Sequence, residues 1–109
     1  MEHIEILNQI RRIAKNLMGN VQEAERYAEK AHRYRNTCKM QADWYRDMAA
    51  KHLEFNLSGR QLYDKFMRDL AENPEAAKYM AGMHAAYDEW LHEIDEQTAK
   101  VHALLNMYK

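Results

Sequence analysis

Glycine, proline, cysteine and serine are all scarce in this chain. Three glycines and one proline in 109 residues leave few places for the backbone to turn. The lone serine, Ser58, has no base near it in sequence, and no G-x-S-x-G elbow, glycine-rich phosphate loop, C-x-x-C pair or H-E-x-x-H string occurs. Enzyme chemistry by organic mechanisms is therefore unsupported, and the expectation leans to a non-enzyme. The lone cysteine, Cys38, cannot close an intramolecular disulfide, which suits a reducing compartment. It reads as a free thiol near a helix start, because a catalytic thiol needs a positioned base. No run of roughly 18 apolar residues and no charged-then-apolar leader is present, so a cytoplasmic protein away from membranes is expected. Charge of one sign is missing too. Sixteen Lys and Arg against seventeen Asp and Glu give a net charge of -1, with no footprint for nucleic acid.

What the chain has instead is heptad patterning. Leu7, Ile10, Ala14, Leu17, Val21, Ala24, Ala28 and Ala31 alternate spacings of three and four, and the stripe passes through Gly19 without losing phase. This predicts one long helix over about 3–35, ended by Asn36-Thr37, which also cap the next helix. A second helix is expected over 38–72, with a seam of Tyr45, Met48, His52, Phe55, Gly59, Leu62 and Phe66, flanked by Ala42, Ala49, Tyr63 and Leu70. Spacing continues across Ser58-Gly59, which favours continuity with a kink over a break. Asn73-Pro74-Glu75 reads as N-cap, first helical position and an acid at the positive end of the dipole. A third helix over 74–107 follows, with a seam of Met80, Met83, Tyr87, Trp90, Ile94, Gln97, Val101, Leu104 and Tyr108.

The fold class expected is thus all-α, an antiparallel bundle of three long helices in a single domain, residues 1–109, forming a rod about 50 Å long. Outward faces carry i,i+4 charge pairs, Glu29 with Arg33, Asp47 with Lys51, Asp64 with Arg68 and Glu96 with Lys100. A second apolar flank of Ile13, Tyr27, Tyr34, Trp44, Leu91 and Leu105 is wider than three helices easily enclose. It predicts a homo-oligomer, a dimer being favoured.

Folding the rod at 36–37 and at 73 puts residue i of the first helix level with about 73 minus i on the second. His52 then lies near Val21 and Ile94, with Glu25, Asn56 and Gln97 within about a turn. His52, Asn56 and Gln97 form an expected buried polar layer, either a register-fixing stitch or, with Glu25, part of a metal site. Two E-x-x-H strings, Glu29/His32 and Glu89/His92, compare with about 0.6 expected by chance, and Glu89 and His92 point outward in the heptad register. His84 and Asp88, following Met80 and Met83, make a further candidate metal pair, although core packing accounts for both methionines.

The stretch Glu23-Ala24-Glu25-Arg26-Tyr27-Ala28, followed by Trp44-Tyr45-Arg46-Asp47-Met48-Ala49-Ala50-Lys51-His52-Leu53-Glu54, resembles the first two helices of ferritin-like proteins. Small members from gut bacteria and their prophages also end in a tail like Met107-Tyr108-Lys109. The resemblance implies a ferritin-like bundle in which Glu25 is the first helix's carboxylate. Ala49 stands where the second helix of that family has the glutamate of E-x-x-H, so the di-metal centre it implies is lost, displaced or completed by a second subunit. No cofactor is expected on this reading. The alternatives are a di-iron or di-manganese carboxylate protein and a helical adaptor for another protein.

Overall fold

A computed structural model of the chain describes residues 3–107, except the side chains of residues 3, 77–81, 83 and 84. The described residues form three helices, α1 (His3–Tyr34), α2 (Lys39–Ala71) and α3 (Ala77–Asn106), with no strand among them. They build a rod 57 × 22 × 16 Å. Both glycines at issue lie inside unbroken helices, Gly19 in α1 and Gly59 in α2.

The two connections work differently from the expected capping. After Tyr34 the chain turns through residues 35–37, and the Tyr34 carbonyl accepts the backbone N–H of Thr37 at 3.1 Å and of Cys38 at 2.9 Å. The Thr37 hydroxyl donates back to the same carbonyl at 3.5 Å, so Thr37 closes α1 and does not open α2. Cys38, extended at φ -149° and ψ 91°, is the N-cap of α2 and makes no side-chain capping bond. At the second connection Asn73 Oδ1 accepts the Glu75 N–H at 2.9 Å and the Asn73 carbonyl accepts the Ala76 N–H at 3.1 Å. This is the side-chain turn expected of Asn, but it holds a turn at 73–76 and α3 begins three residues later than the sequence suggests.

α1 is the central element. It packs along both other helices, while α2 and α3 touch little. Its buried row, Ile10, Ala14, Leu17, Val21, Ala24, Ala28 and Ala31, matches the expected stripe, and Leu7 is half-buried beside it. Having a neighbour on each side lets α1 bury a broad face, so Ile6 and Ile13 are in the core as well. On α3, Leu91, Ile94 and Val101 are buried and Tyr87, Trp90, Gln97 and Leu104 half-buried, in phase with the reading. Met80 and Met83 have side chains outside the described residues, as does Tyr108.

The seam of α2 departs from expectation. Its buried residues are Ala42, Ala49, Leu53, Asn56, Tyr63 and Leu70, whereas Phe55 is 64% exposed and Leu62 44% exposed. The packed face is therefore rotated away from Phe55 and Leu62 toward the row read as a flank. Close approach explains it: Ala42 and Ala49 lie on the half of α2 that faces the alanine-rich end of α1, where Ala24, Ala28, Ala49, Leu53 and Val101 form one cluster. Small side chains let helix axes come near each other, and size outweighs hydrophobicity there. Larger side chains, among them Ile6, Ile10, Leu17, Tyr63, Leu70 and Leu91, fill a second cluster toward the other end. A Cβ at Gly59 would lie 2.9 Å from Leu17 Cδ2, so the same principle operates there with a single glycine.

The two glycines should respond differently to alanine. Gly19 is exposed and a Cβ there meets nothing within 4 Å, so Gly19→Ala should stabilise the fold by about 0.5–1 kcal/mol in urea unfolding. Gly59→Ala should gain less or lose stability, because Leu17, 2% exposed, must first move.

Candidate functional site

Two polar contacts lie along the α1–α2 seam. Asn56, 8% exposed, donates from Nδ2 to the Leu17 carbonyl at 2.9 Å. One turn away, His52 Nδ1 and Asn20 Oδ1 are 3.4 Å apart, and the His52 ring stacks on Tyr27 with centroids 5.5 Å apart. The pairs sum to 73 and 72 in residue number, the level predicted for the first two helices. Depth is distributed differently: the buried polar residue is Asn56, and His52 is half-buried. Gln97 does not join them. Its Oε1 is buried on α3 with no hydrogen-bond partner among the described residues, so the expected three-residue layer resolves into an α1–α2 strip and a separate glutamine.

The candidate metal pair is likewise divided. Glu25 Oε1 faces Lys100 Nζ of α3 at 4.0 Å, whereas His52 meets Asn20 and Tyr27 on the α2 side of α1. Asn20 and Glu25 are five residues apart, about 140° around the helix, so the body of α1 stands between the two candidate ligands. Glu25 and His52 therefore do not fit a shared ion. No group of three or more His, Cys, Asp or Glu side chains converges among the described residues. The side chain of His84 lies outside the described residues, and Asp88 is exposed. Glu89 and His92 are exposed, and His92 Nε2 pairs with Glu96 at 3.0 Å, while Glu29 is exposed beside a half-buried His32.

The apolar flank is mostly engaged within the chain. Ile13 and Leu91 are each 7% exposed in the core. Tyr27 contacts Tyr45 and Trp44 at centroid distances of 6.0 and 6.1 Å, and Tyr34 stacks on Tyr45 at 5.9 Å. Trp44 is 54% exposed, and Leu105 is half-buried in the lining of a groove. Surface charges take other partners than those expected: Asp47 approaches Arg46, Asp64 pairs with Arg60 and Glu96 with His92, both still at i,i+4 spacing, and Lys100 meets Glu25 of α1.

Sequence reasoning missed that groove. It runs between α2 and α3, is floored by Leu17 of α1, and encloses about 510 Å³. Arg60 bridges it, with Nη1 3.2 Å from Asp95 of α3 and Nε 3.7 Å from Asp64 of its own helix. Nothing in the heptad pattern marks it, because Leu57 and Thr98, which line it, lie off the predicted seams.

Tyr63 is a further buried group the sequence left as a flank. It is 3% exposed, its hydroxyl has no hydrogen-bond partner among the described residues, and its ring meets Tyr87 edge-on at 6.5 Å. Burial, with the nearby Asp88 carboxylate adding to it, pushes its hydroxyl from the ordinary value of 10.0 up to about 12.

With this geometry established, comparison with protein-family models, with curated proteins and with solved structures finds no match.

Two substitutions check the polar groups. Tyr63→Phe removes an unpartnered buried hydroxyl and should be neutral or stabilising by about 1 kcal/mol. Tyr63 keeps its proton longer in the folded chain than in the unfolded one, so its titration leaves stability unchanged below pH 10 and lowers it as pH rises from 10 toward 12. Tyr63→Phe should therefore lessen the alkaline fall in stability measured by denaturation at stepped pH. His52→Leu should change stability by less than about 1 kcal/mol, since it removes a half-exposed contact of 3.4 Å and keeps an apolar surface against Tyr27.

Proposed function

We propose that this chain is a non-catalytic, self-associating helical bundle of antiparallel, ferritin-like type, in which two copies meet through the outward face of α2. The observation that carries the reading is an exposed apolar stripe. Met40 is 83% exposed, Trp44 54%, Phe55 64% and Leu62 44%, and they lie within about 60° of one another around the helix. Large apolar side chains gathered on one face of a charged helix are what an interface core contains, and here they are too exposed to serve the chain's own core.

Spacing supports a two-fold arrangement. Met48, Phe55 and Leu62 are seven residues apart, symmetric about Phe55. An axis through Phe55 would bring Met48 of each copy against Leu62 of the other, the self-complementary contact that a closed dimer requires. The ferritin-like likeness rests on the residues of the first two helices, and three long helices are compatible with it. The stripe replaces most of the flank read from the sequence, of which Trp44 remains on it. No helix among the described residues is long and apolar enough to cross a membrane.

Light scattering coupled to size exclusion tests the proposal. The chain at tens of micromolar should elute at about twice its 13.0 kDa mass. Phe55→Asp places like charges beside the axis at an exposed position, so it should return the protein to single-chain mass with unchanged helical circular dichroism. A wild-type chain that stays single at that concentration would refute self-association and transfer the stripe to an unrelated partner, the adaptor reading.

A further inference from the structure

Charge is spread unevenly along the rod, and the net charge of -1 averages over two unlike ends. From Lys30 to Ala42, across the α1–α2 connection, there are four Lys and Arg residues and no Asp or Glu. From Asp64 to Glu75, at the other end, four acids accompany two cations. α1 ends at Tyr34 and α2 begins at Lys39, so Lys30, Arg33, Arg35 and Lys39 all lie within about 6 Å of the tip along the axis. All four are exposed. None has a carboxylate partner among the described residues: Lys30 lies over the Tyr45 ring, 5.4 Å from its centroid, and Arg35 gives an N–H to the His32 carbonyl at 2.9 Å. The nearest acids in sequence are Glu29 and Asp43, and Arg46 lies 3.8 Å from Asp43. Positive charges gathered without counter-charge repel one another and draw in an anionic surface.

Two exposed apolar side chains share this tip. Met40, 83% exposed, stands next to Lys39, and Trp44, 54% exposed, follows one turn below on the same face of α2. Trp44 packs edge-on against Tyr45 and Tyr27, and Tyr34 stacks on Tyr45. These features select among anionic partners. Single-stranded nucleic acid stacks its bases on free aromatic faces, and the faces of Tyr27, Tyr34 and Tyr45 are taken up by one another and by Lys30. A stable protein partner needs roughly 800 Å² on each side, which an end of cross-section 22 × 16 Å does not offer. A bilayer of anionic lipid needs neither. Each cation adds its own attraction near the headgroups, and a methionine and an indole can enter the interface beneath them.

We infer that the tip at the α1–α2 connection is a contact site for an anionic membrane surface, with Lys30, Arg33, Arg35 and Lys39 at the headgroups and Met40 entering the interface. The rod meets the bilayer end-on and nothing spans it. Neither the net charge nor the want of a long apolar run registers a patch of this kind, which is why the sequence led away from membranes. The inference does not rest on the dimer. Met40 is at the far end of the stripe, 15 residues or about 22 Å from Phe55. An antiparallel pair about Phe55 carries its two tips at opposite ends, so one vesicle meets one tip per pair.

Co-sedimentation of the full chain with vesicles tests this. Vesicles of equal parts phosphatidylserine and phosphatidylcholine should bind it at least about ten-fold more tightly than phosphatidylcholine alone, and added salt should weaken the binding. Arg33→Gln, Arg35→Gln and Lys39→Gln alter exposed side chains, so helical circular dichroism should be unchanged while each lowers affinity about five-fold. Met40→Ser should lower affinity a few-fold and keep the salt dependence, because it removes an apolar group and no charge. Lys65→Gln combined with Arg68→Gln, at the opposite end, should leave binding as it is. Phe55→Asp should do the same whatever it does to particle mass, which keeps this result apart from that of the dimer. Equal binding to both kinds of vesicle, or as large a loss from the Lys65 and Arg68 changes as from those at the tip, would overturn the inference. Displacement of the chain from vesicles by a single-stranded oligonucleotide that binds it more tightly would overturn it too, and give the cations to nucleic acid.

Discussion

Everything else in this molecule depends on how near α2 is allowed to lie to α1. Alanines on both helices at one end, and Gly59 against Leu17 further along, remove the side chains that would hold the axes apart. Within that short separation Asn56 reaches the backbone carbonyl of Leu17, a group already inside a helix, and His52 comes up to Asn20. These polar contacts are consequences of the close approach. They hold α2 in one register because a shift of a single residue would carry the Asn56 amide away from its acceptor and bury it unpaired.

α2 turns Ala42 and Ala49 inward together with Leu53, Tyr63 and Leu70, and leaves Met40, Trp44, Phe55 and Leu62 outside. Phe55 and Leu62 are not displaced core residues; they belong to a second stripe on the same helix. The groove arises from the same disposition. α1 occupies the middle of the molecule, and α2 and α3 each lean on it and scarcely on one another, so a channel remains between them, crossed by the Arg60–Asp95 pair. That exposed pair adds little energy, and its part is to set the width of the mouth.

How much of this could be read from the sequence follows from the same physics. The α1 stripe was legible because a helix with neighbours on two sides needs a broad apolar face, and every position from Ile10 to Ala31 satisfied it. α3 was legible through Ile94 and Val101, which cluster with α1, and Asn73 marked the second connection through side-chain chemistry that is local, although it holds a turn and does not cap the helix. α2 misled because apolar periodicity favours bulk. Met48, Phe55 and Leu62 gave the louder pattern, while the packed face was written in Ala42, Ala49 and Asn56. Of the site, the level of His52 along the rod could be foreseen, but its depth could not, since one position on a helix separates a core residue from a flanking one. Glu25 and His52 lie little more than a turn apart in height but disagree in azimuth, which linear spacing does not register.

The unequal seams have a dynamic consequence. α3 is anchored along one side by α1 and held to α2 by little more than the turn at residues 73–76, the exposed Arg60–Asp95 pair and the Tyr63–Tyr87 ring contact, whereas α1 and α2 share the more extensive contact. The free energy holding the rod is thus unevenly distributed. Partial opening should proceed by α3 peeling from an α1–α2 hairpin that keeps its alanine seam and its Asn56 bond, so the molecule has a durable half and a labile third.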